Sequence, residues 1–282
     1  MTVPSDMERP TDVVRNSVVV NANTGQATFI RALEYLAPLG ILATLWQALS
    51  WLGVLSSKIV PSFIAVVEAG VDLLASGEIF RHLIVTIYRA EAGLLLGVVL
   101  GVALGLAMAR LRLVYRLSYP LVALTYTLPK TALIPIVFLW LGVGDASSIF
   151  VVFIGAFVPI VITTYHGAES TPEIYVWSAQ SMGMSSRRVL WTIVFPSSLP
   201  HVLNGVRIAQ AFSIVIAISA EMVASYVGVG RFIYVFGEAG SYNYMFAAIF
   251  IVIVSAFALD QLFIALKNRL LRWTEFEGAS DE

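Results

Sequence analysis

Apolar residues in this chain come in long unbroken runs rather than in alternation, and polar residues collect in short stretches between them. A bilayer's hydrocarbon core, ~30 Å thick, takes about 20 residues of helix at a rise of 1.5 Å each. Runs of that length recur and predict six spans: Tyr35–Leu55, Arg89–Ala109, Tyr119–Leu141, Ser148–Tyr165, Val202–Ala224 and Tyr244–Leu266. Between the first two, Ser56–Tyr88 is only moderately apolar and is punctuated by Lys58, Pro61, Glu68, Asp72, Glu78 and Arg81. That pattern predicts one or two interfacial helices rather than another crossing. The expected fold is an all-α polytopic membrane protein.

Composition agrees. The 282 residues are 59% hydrophobic and 12% charged, with a mean hydropathy of +0.85, outside the range of ordinary soluble domains. The net charge of -1 gives no reason to expect nucleic acid as a partner, and the absence of cysteine excludes disulfides and thiolate metal sites. His82, His166 and His201 stand isolated, so no metal or cofactor site is expected. Residues 1–26 are polar, lack the apolar segment of a signal peptide, and carry Pro4, Asp6, Glu8, Arg9, Pro10, Asp12 and Arg15.

Lysine and arginine set the orientation. With the N-terminus inside, the cytoplasmic side collects Arg9, Arg15, Arg31, Arg110, Arg112, Arg116, Arg187, Arg188, Lys267, Arg269 and Arg272. The outer side keeps Lys58, Arg81 and Arg231, with Arg89 where the second span starts. Both termini are therefore expected in the cytoplasm. The chain divides into a mobile N-terminal tail (1–33), a first span with an extracytoplasmic interfacial segment (34–80), a core (81–273) and a C-terminal tail (274–282).

In the second span, Gly93, Gly97, Gly101 and Gly105 recur every four residues. That spacing puts them on one helix face, where another backbone can approach closely, so tight packing is the expectation.

Ionisable residues inside spans cost ~2.5–3.5 kcal/mol each on insertion scales and need a reason. Lys130 lies in TLPKTALIP between Pro129 and Pro135. Two prolines interrupt the helix, and lipid tolerates the freed carbonyls only where protein or water covers them. Lys130 in such a break is a candidate for a pathway that accepts an anion, or a lysine that snorkels or pairs structurally. Glu221, beside Met222, either lines the same pathway or bonds to a neighbouring helix. Arg207 shares its helix about 21 Å away, too far for a direct pair. Asp260, Arg89 and Glu91 read as packing or interfacial charges.

Val176–Pro196 reads VWSAQSMGMSSRRVLWTIVFP, too polar to cross. Thr171 at the cap, Pro172 at the first helical position and Glu173 after it start a helix, which Gly183 stops. Ser185 or Ser186 caps a second helix, which Pro196 ends. Tyr175, Trp177, Met182 and Met184 beside Arg187 and Arg188 fit a docking surface, or else fold back onto the bundle.

Here the sequence resembles a family. Gly183, a nine-residue gap, Ile193, Phe195 and Pro196 match half of the cytoplasmic loop motif of ABC-importer permeases. The likeness continues in TLPKTALIPIVFLWLGVG, FPSSLPHVLNGVRIA and AEMVASYVGVG. It is closest to the nitrate/sulfonate/taurine-type branch and runs from about Arg81 to Trp273. The resemblance implies a type I importer permease fold and a homodimer. It also implies that the loop docks cytoplasmic ATP-binding subunits and that an extracytoplasmic binding protein delivers the solute. One position departs: the family motif opens Glu-Ala-Ala, whereas Trp177, Ser178 and Ala179 stand here, so no role of that glutamate carries over.

The chain itself has no Gly-x4-Gly-Lys-Ser/Thr phosphate loop, so ATP hydrolysis belongs in a separate subunit. It also shows no nucleophile–base set of an intramembrane enzyme. A non-catalytic importer permease is the reading. The alternative is a self-sufficient secondary transporter or channel, which repeated halves with matched interruptions would favour.

Overall fold

The computed structural model describes residues 24–54, 56 and 59–273, with side chains described from residue 37 on. The tails expected at 1–33 and 274–282 lie outside these residues up to 23 and from 274. The chain forms two units, 1–57 and 58–282. The first contains α1 (Thr24–Trp51), which begins well ahead of the predicted Tyr35 and carries Pro38 within it.

The second unit opens with α2 (Phe63–Ser76), whose Ser62 side chain accepts from the Ala65 N–H and whose end is closed by Gly77 at φ 75°. Gly77 turns the chain directly into α3 (Glu78–Arg110). Of the segment expected to be interfacial, 56–88, only α2 is separate from the span that follows. Residues 78–88 are the start of the second span, because no proline or cap follows Gly77 to stop the helix.

Next come α4 (Arg112–Thr127), a 3₁₀ turn (Lys130–Leu133), α5 (Ile134–Leu141) and α6 (Asp145–Glu169). Then follow α7 (Glu173–Ser181), α8 (Ser186–Val189), a π-helical turn (Leu190–Val194) and α9 (Phe195–Val223). The chain closes with α10 (Val229–Glu238) and α11 (Tyr242–Leu270). Among the described residues, four stretches are long and apolar enough to cross a membrane: Glu78–Arg110, Asp145–Glu169, Ser186–Val223 and Tyr242–Leu270. Arg112–Thr127 with Lys130–Leu141, bent by 95°, makes a fifth. These match predicted spans two to six, while the predicted first span falls in α1, outside that set.

The core is α3 against α6 against α9. All four glycines of the α3 stripe are buried, and each faces one residue of a matching stripe on α6. A Cβ at Gly93 would stand 2.6 Å from Val152 Cβ, at Gly97 2.9 Å from Ala156 Cβ, at Gly101 3.1 Å from Ile160 Cβ and at Gly105 2.7 Å from Thr164 Cβ. Both stripes repeat every four residues, so the two helices run parallel in register and their backbones close to a distance only glycine permits. Where α6 meets α9, Gly155 of α6 lies against Ile216 and Gly205 of α9 against Thr163, each too close for a Cβ without a shift. Leu94, Ala156, Ile160, Val202, Val206 and Ala209 fill the centre.

Candidate functional site

Three polar features interrupt this apolar core. The first is the loop between α6 and α9. Its helix α7 ends in a Schellman turn: the Met184 N–H donates to the Ala179 carbonyl at 3.0 Å and the Gly183 N–H to that of Gln180 at 2.9 Å. Gly183 sits at φ 86°, where L side chains are disfavoured, so the stop stands where its glycine predicts. The start differs. α7 begins at Glu173 behind Pro172 with no side-chain cap, and the Thr171 hydroxyl is buried without a partner among the described residues.

The second half of the loop corrects the expectation of a short helix ended by Pro196. Ser185 occupies the cap position without a side-chain bond, and the helix then runs unbroken from Ser186 to Val223. A proline inside an α-helix removes one hydrogen bond and crowds the carbonyl four residues back. Here the π turn Leu190–Val194 widens the helix, and the Phe195 N–H donates to the Leu190 carbonyl, five residues back. Pro196 then falls in the first turn of α9, where its missing N–H breaks no bond. The second half of the loop is thus continuous with a span.

α7 buries Val176 and Ala179 with Leu106, Ala168, Val189 and Val194. Burying each valine contributes about 1.5–2 kcal/mol. The opposite side is open: Tyr175 is 59% exposed, Trp177 58% and Met182 83%. Glu173, Ser178, Gly183, Arg187 and Arg188 are exposed and Met184 is half-buried. A groove of about 470 Å³ beside the helix is lined by Tyr175, Ser178, Met182, Met184, Pro196 and Trp273.

The second feature is the broken span. Leu128 and Pro129 are extended, since a residue before proline avoids the α region. Pro135 lies in the first turn of α5. One proline ends a helix and the other begins the next. In a continuous helix the Tyr126 carbonyl would accept from the Lys130 backbone. At the break it accepts instead from Lys130 Nζ, at 2.6 Å, with the ammonium 5.4 Å from the Tyr126 ring centroid. Lys130 is half-buried, and Pro129, Pro135 and Met222 are exposed.

The third feature is a pairing that the sequence reading did not make. Arg89 and Glu221, 5% and 0% exposed, form an ion pair at 2.9 Å. Glu221 also accepts from the Thr86 hydroxyl at 2.8 Å and the Gly230 N–H at 3.0 Å, and Thr86 accepts from the Val229 N–H at 2.8 Å. Arg89 donates to the Val227 carbonyl at 2.7 Å, to Ser225 at 3.1 Å and to Asp145 at 2.8 Å. The Gly228 N–H donates to His82 Nδ1 at 3.1 Å. The network therefore ties α3, the first turn of α6, the end of α9 and the loop into α10, and every charge within it has a partner.

Of the two roles expected for Arg89, packing or interfacial charge, the buried pair is the packing one, and Glu221, with no exposed surface, bonds to the neighbouring helix. The one signal for the pairing was an arginine and a glutamate each stranded in an apolar run. Arg207 finds its partner in Asp260 of α11 at 2.8 Å. Glu91 makes neither contact, and its Oε1 is buried without a partner among the described residues.

Known proteins resemble this chain. The family described as "Binding-protein-dependent transport system inner membrane component" matches residues 97–272. A relative from Escherichia coli (strain K12), "Putative aliphatic sulfonates transport permease protein SsuC", is 39% identical over 201 residues, covering 71% of this chain and 76% of its own. Its namesake in Bacillus subtilis (strain 168) is 29% identical over 264 residues, covering 93% and 95%. The "Taurine transport system permease protein TauC" of Escherichia coli (strain K12) is 28% identical over 240 residues, covering 83% and 87%. Among solved structures, an inward-facing conformation of the MetNI methionine ABC transporter superposes with a TM-score of 0.60 at 18% identity, covering 68% of this chain and 95% of that one. It shares the fold. The chain accordingly belongs to the binding-protein-dependent transport system inner membrane component family and is a multi-pass inner-membrane permease of the ABC-importer type, in the branch that holds the sulfonate and taurine permeases.

Proposed function

We propose that this permease imports a small organic anion of the sulfonate class by alternating access, as a homodimer with both termini in the cytoplasm. An extracytoplasmic binding protein delivers the solute, and cytoplasmic ATP-binding subunits dock on α7. The observation that carries the reading is the exposed apolar side of α7. Tyr175, Trp177 and Met182 face out from a helix whose other side is buried and which connects through an unbroken helix to a span. A subunit that pulls on α7 therefore moves α9 as a lever.

At position 177 the anchor is an indole where the family motif has a carboxylate, so docking here relies on an apolar side chain. The break at Pro129–Pro135, with Met222, is the proposed pathway wall. Lys130 donates one hydrogen bond to Tyr126, and its ammonium has two further donors for an anion. The sulfonate and taurine names of the relatives support that charge sign.

The test is uptake of labelled taurine or an alkanesulfonate into proteoliposomes holding the permease, the ATP-binding subunits and the binding protein. Uptake that requires ATP and all three components supports the reading. Equal uptake by the permease alone overturns it in favour of a self-sufficient transporter.

A further inference from the structure

At the α7 end of the bundle, a cavity of about 760 Å³ opens between the last turns of α3 and the α7–α8 segment. Its walls include Leu106, Ala107, Leu190 and Trp191, and two guanidinium groups, Arg110 and Arg187, line it. Neither arginine forms an ion pair among the described residues. Arg110 is the last residue of α3, so the cavity lies where an apolar span gives out and water begins.

The apolar wall continues away from the charges. Leu96 and Leu100 are 47% and 49% exposed and, with Ala103 and Ala107, recur along one face of α3. Leu96 to Ala107 measures about 16 Å of helix, close to one leaflet of a ~30 Å hydrocarbon core. Trp191 stands 61% exposed at the rim, and an amphipathic ring at that level is what the membrane–water boundary favours. A free anion would use the two arginines and leave the apolar walls wet. A docked protein would cover the mouth and leave the stripe on α3 unaccounted for. A molecule with an anionic head and an apolar chain fits both.

We infer that this cavity binds an anionic phospholipid, its phosphate held by Arg110 and Arg187 and an acyl chain laid along Leu96, Leu100, Ala103 and Ala107 of α3. One arginine sits on a span and the other on the segment that joins α7 to α9, so the lipid ties the loop to the bilayer. Basic pockets between helices at a membrane face recognise lipid head groups in this manner.

The test is native mass spectrometry of the full-length permease carrying phosphatidylglycerol or phosphatidylcholine. Wild type is expected to retain one phosphatidylglycerol per chain and to release phosphatidylcholine. R110Q and R187Q should each weaken retention about fivefold and the pair about thirtyfold, as two surface arginines do. R116Q, outside the cavity, should leave retention unchanged. R110K/R187K keeps both charges, so retained lipid there separates lost recognition from lost folding. Equal retention by the R110Q/R187Q double variant and wild type overturns the inference, as does equal retention of the two lipids. Displacement of the lipid by inorganic phosphate would make this a free-anion site, and displacement by the ATP-binding subunits a protein interface. Either result overturns it too.

Discussion

Arg89 and Glu221, 132 residues apart in sequence, meet at 2.9 Å with both side chains buried. Asp145, the second carboxylate on the same guanidinium, is 59% exposed. Removing one partner of a buried pair strands a charge at about 3–5 kcal/mol, whereas a solvent-exposed partner contributes about 1 kcal/mol or less. Glu221→Ala should therefore lower the thermal melting point of the purified permease far more than Asp145→Asn. The reverse order would show that the network is not organised around the buried pair.

The α3–α6 stripe makes a graded prediction. At Gly97 the nearest obstacle is Ala156 Cβ, at 2.9 Å, with backbone atoms of 156 and 157 at 3.3 Å. Gly97→Ala should destabilise by about 1–3 kcal/mol, as overpacking does, and Ala156→Gly should restore most of it. At Gly93 the Ile149 carbonyl stands 2.8 Å away, so Gly93→Ala should resist rescue by Val152→Ala. Melting curves of the four variants decide it.

Gly183 differs from these glycines because nothing lies within 4 Å of its added Cβ. The penalty of Gly183→Ala is then backbone strain alone, about 1–2 kcal/mol at a left-handed position. Gly183→Asn should lose less. Amide hydrogen exchange at the end of α7 should rise from wild type to Gly183→Asn to Gly183→Ala with the spans unchanged, and equal exchange in all three proteins would contradict the turn.

Trp177→Asp tests docking. A buried aromatic anchor contributes at least about 2 kcal/mol to an interface, or roughly thirtyfold in affinity. Co-purification of the ATP-binding subunits should fall accordingly while membrane insertion is intact. Recovery at the wild-type level would remove α7 from the interface.

Lys130→Met keeps the apolar stem and removes the ammonium. Hydrogen bonds to a charged group contribute about 1.5–3 kcal/mol, so uptake of a sulfonate at low concentration should drop about tenfold or more. Assembly should be unaffected. Uptake equal to wild type at every concentration would exclude an anion contact at this residue.

The reading of the chain succeeded where the physics is local. Run length against membrane thickness located spans two to six, Gly183 stopped α7, Pro129 broke the third span, and the four-residue glycine period announced a close helix contact. Each of these effects is contained in one continuous stretch of chain, so the residues that cause it lie close together in the sequence.

Other features needed partners from elsewhere. Pro196 looked like a helix end, yet the π turn at Leu190–Val194 absorbs it, and packing of Val189 and Val194 against Leu106 holds that turn in place. Thr171 had the chemistry of a cap but is buried with its hydroxyl unpartnered among the described residues. Arg89 and Glu221 each announced that a partner was needed. Only the register of α3 against α9 decided that they serve each other, while Arg207 turns to Asp260. By itself the sequence determined which segments are apolar enough to cross and where they stop. The tertiary structure decided which charges meet, because helix tilt and register are set by packing summed over whole helices rather than by neighbouring residues.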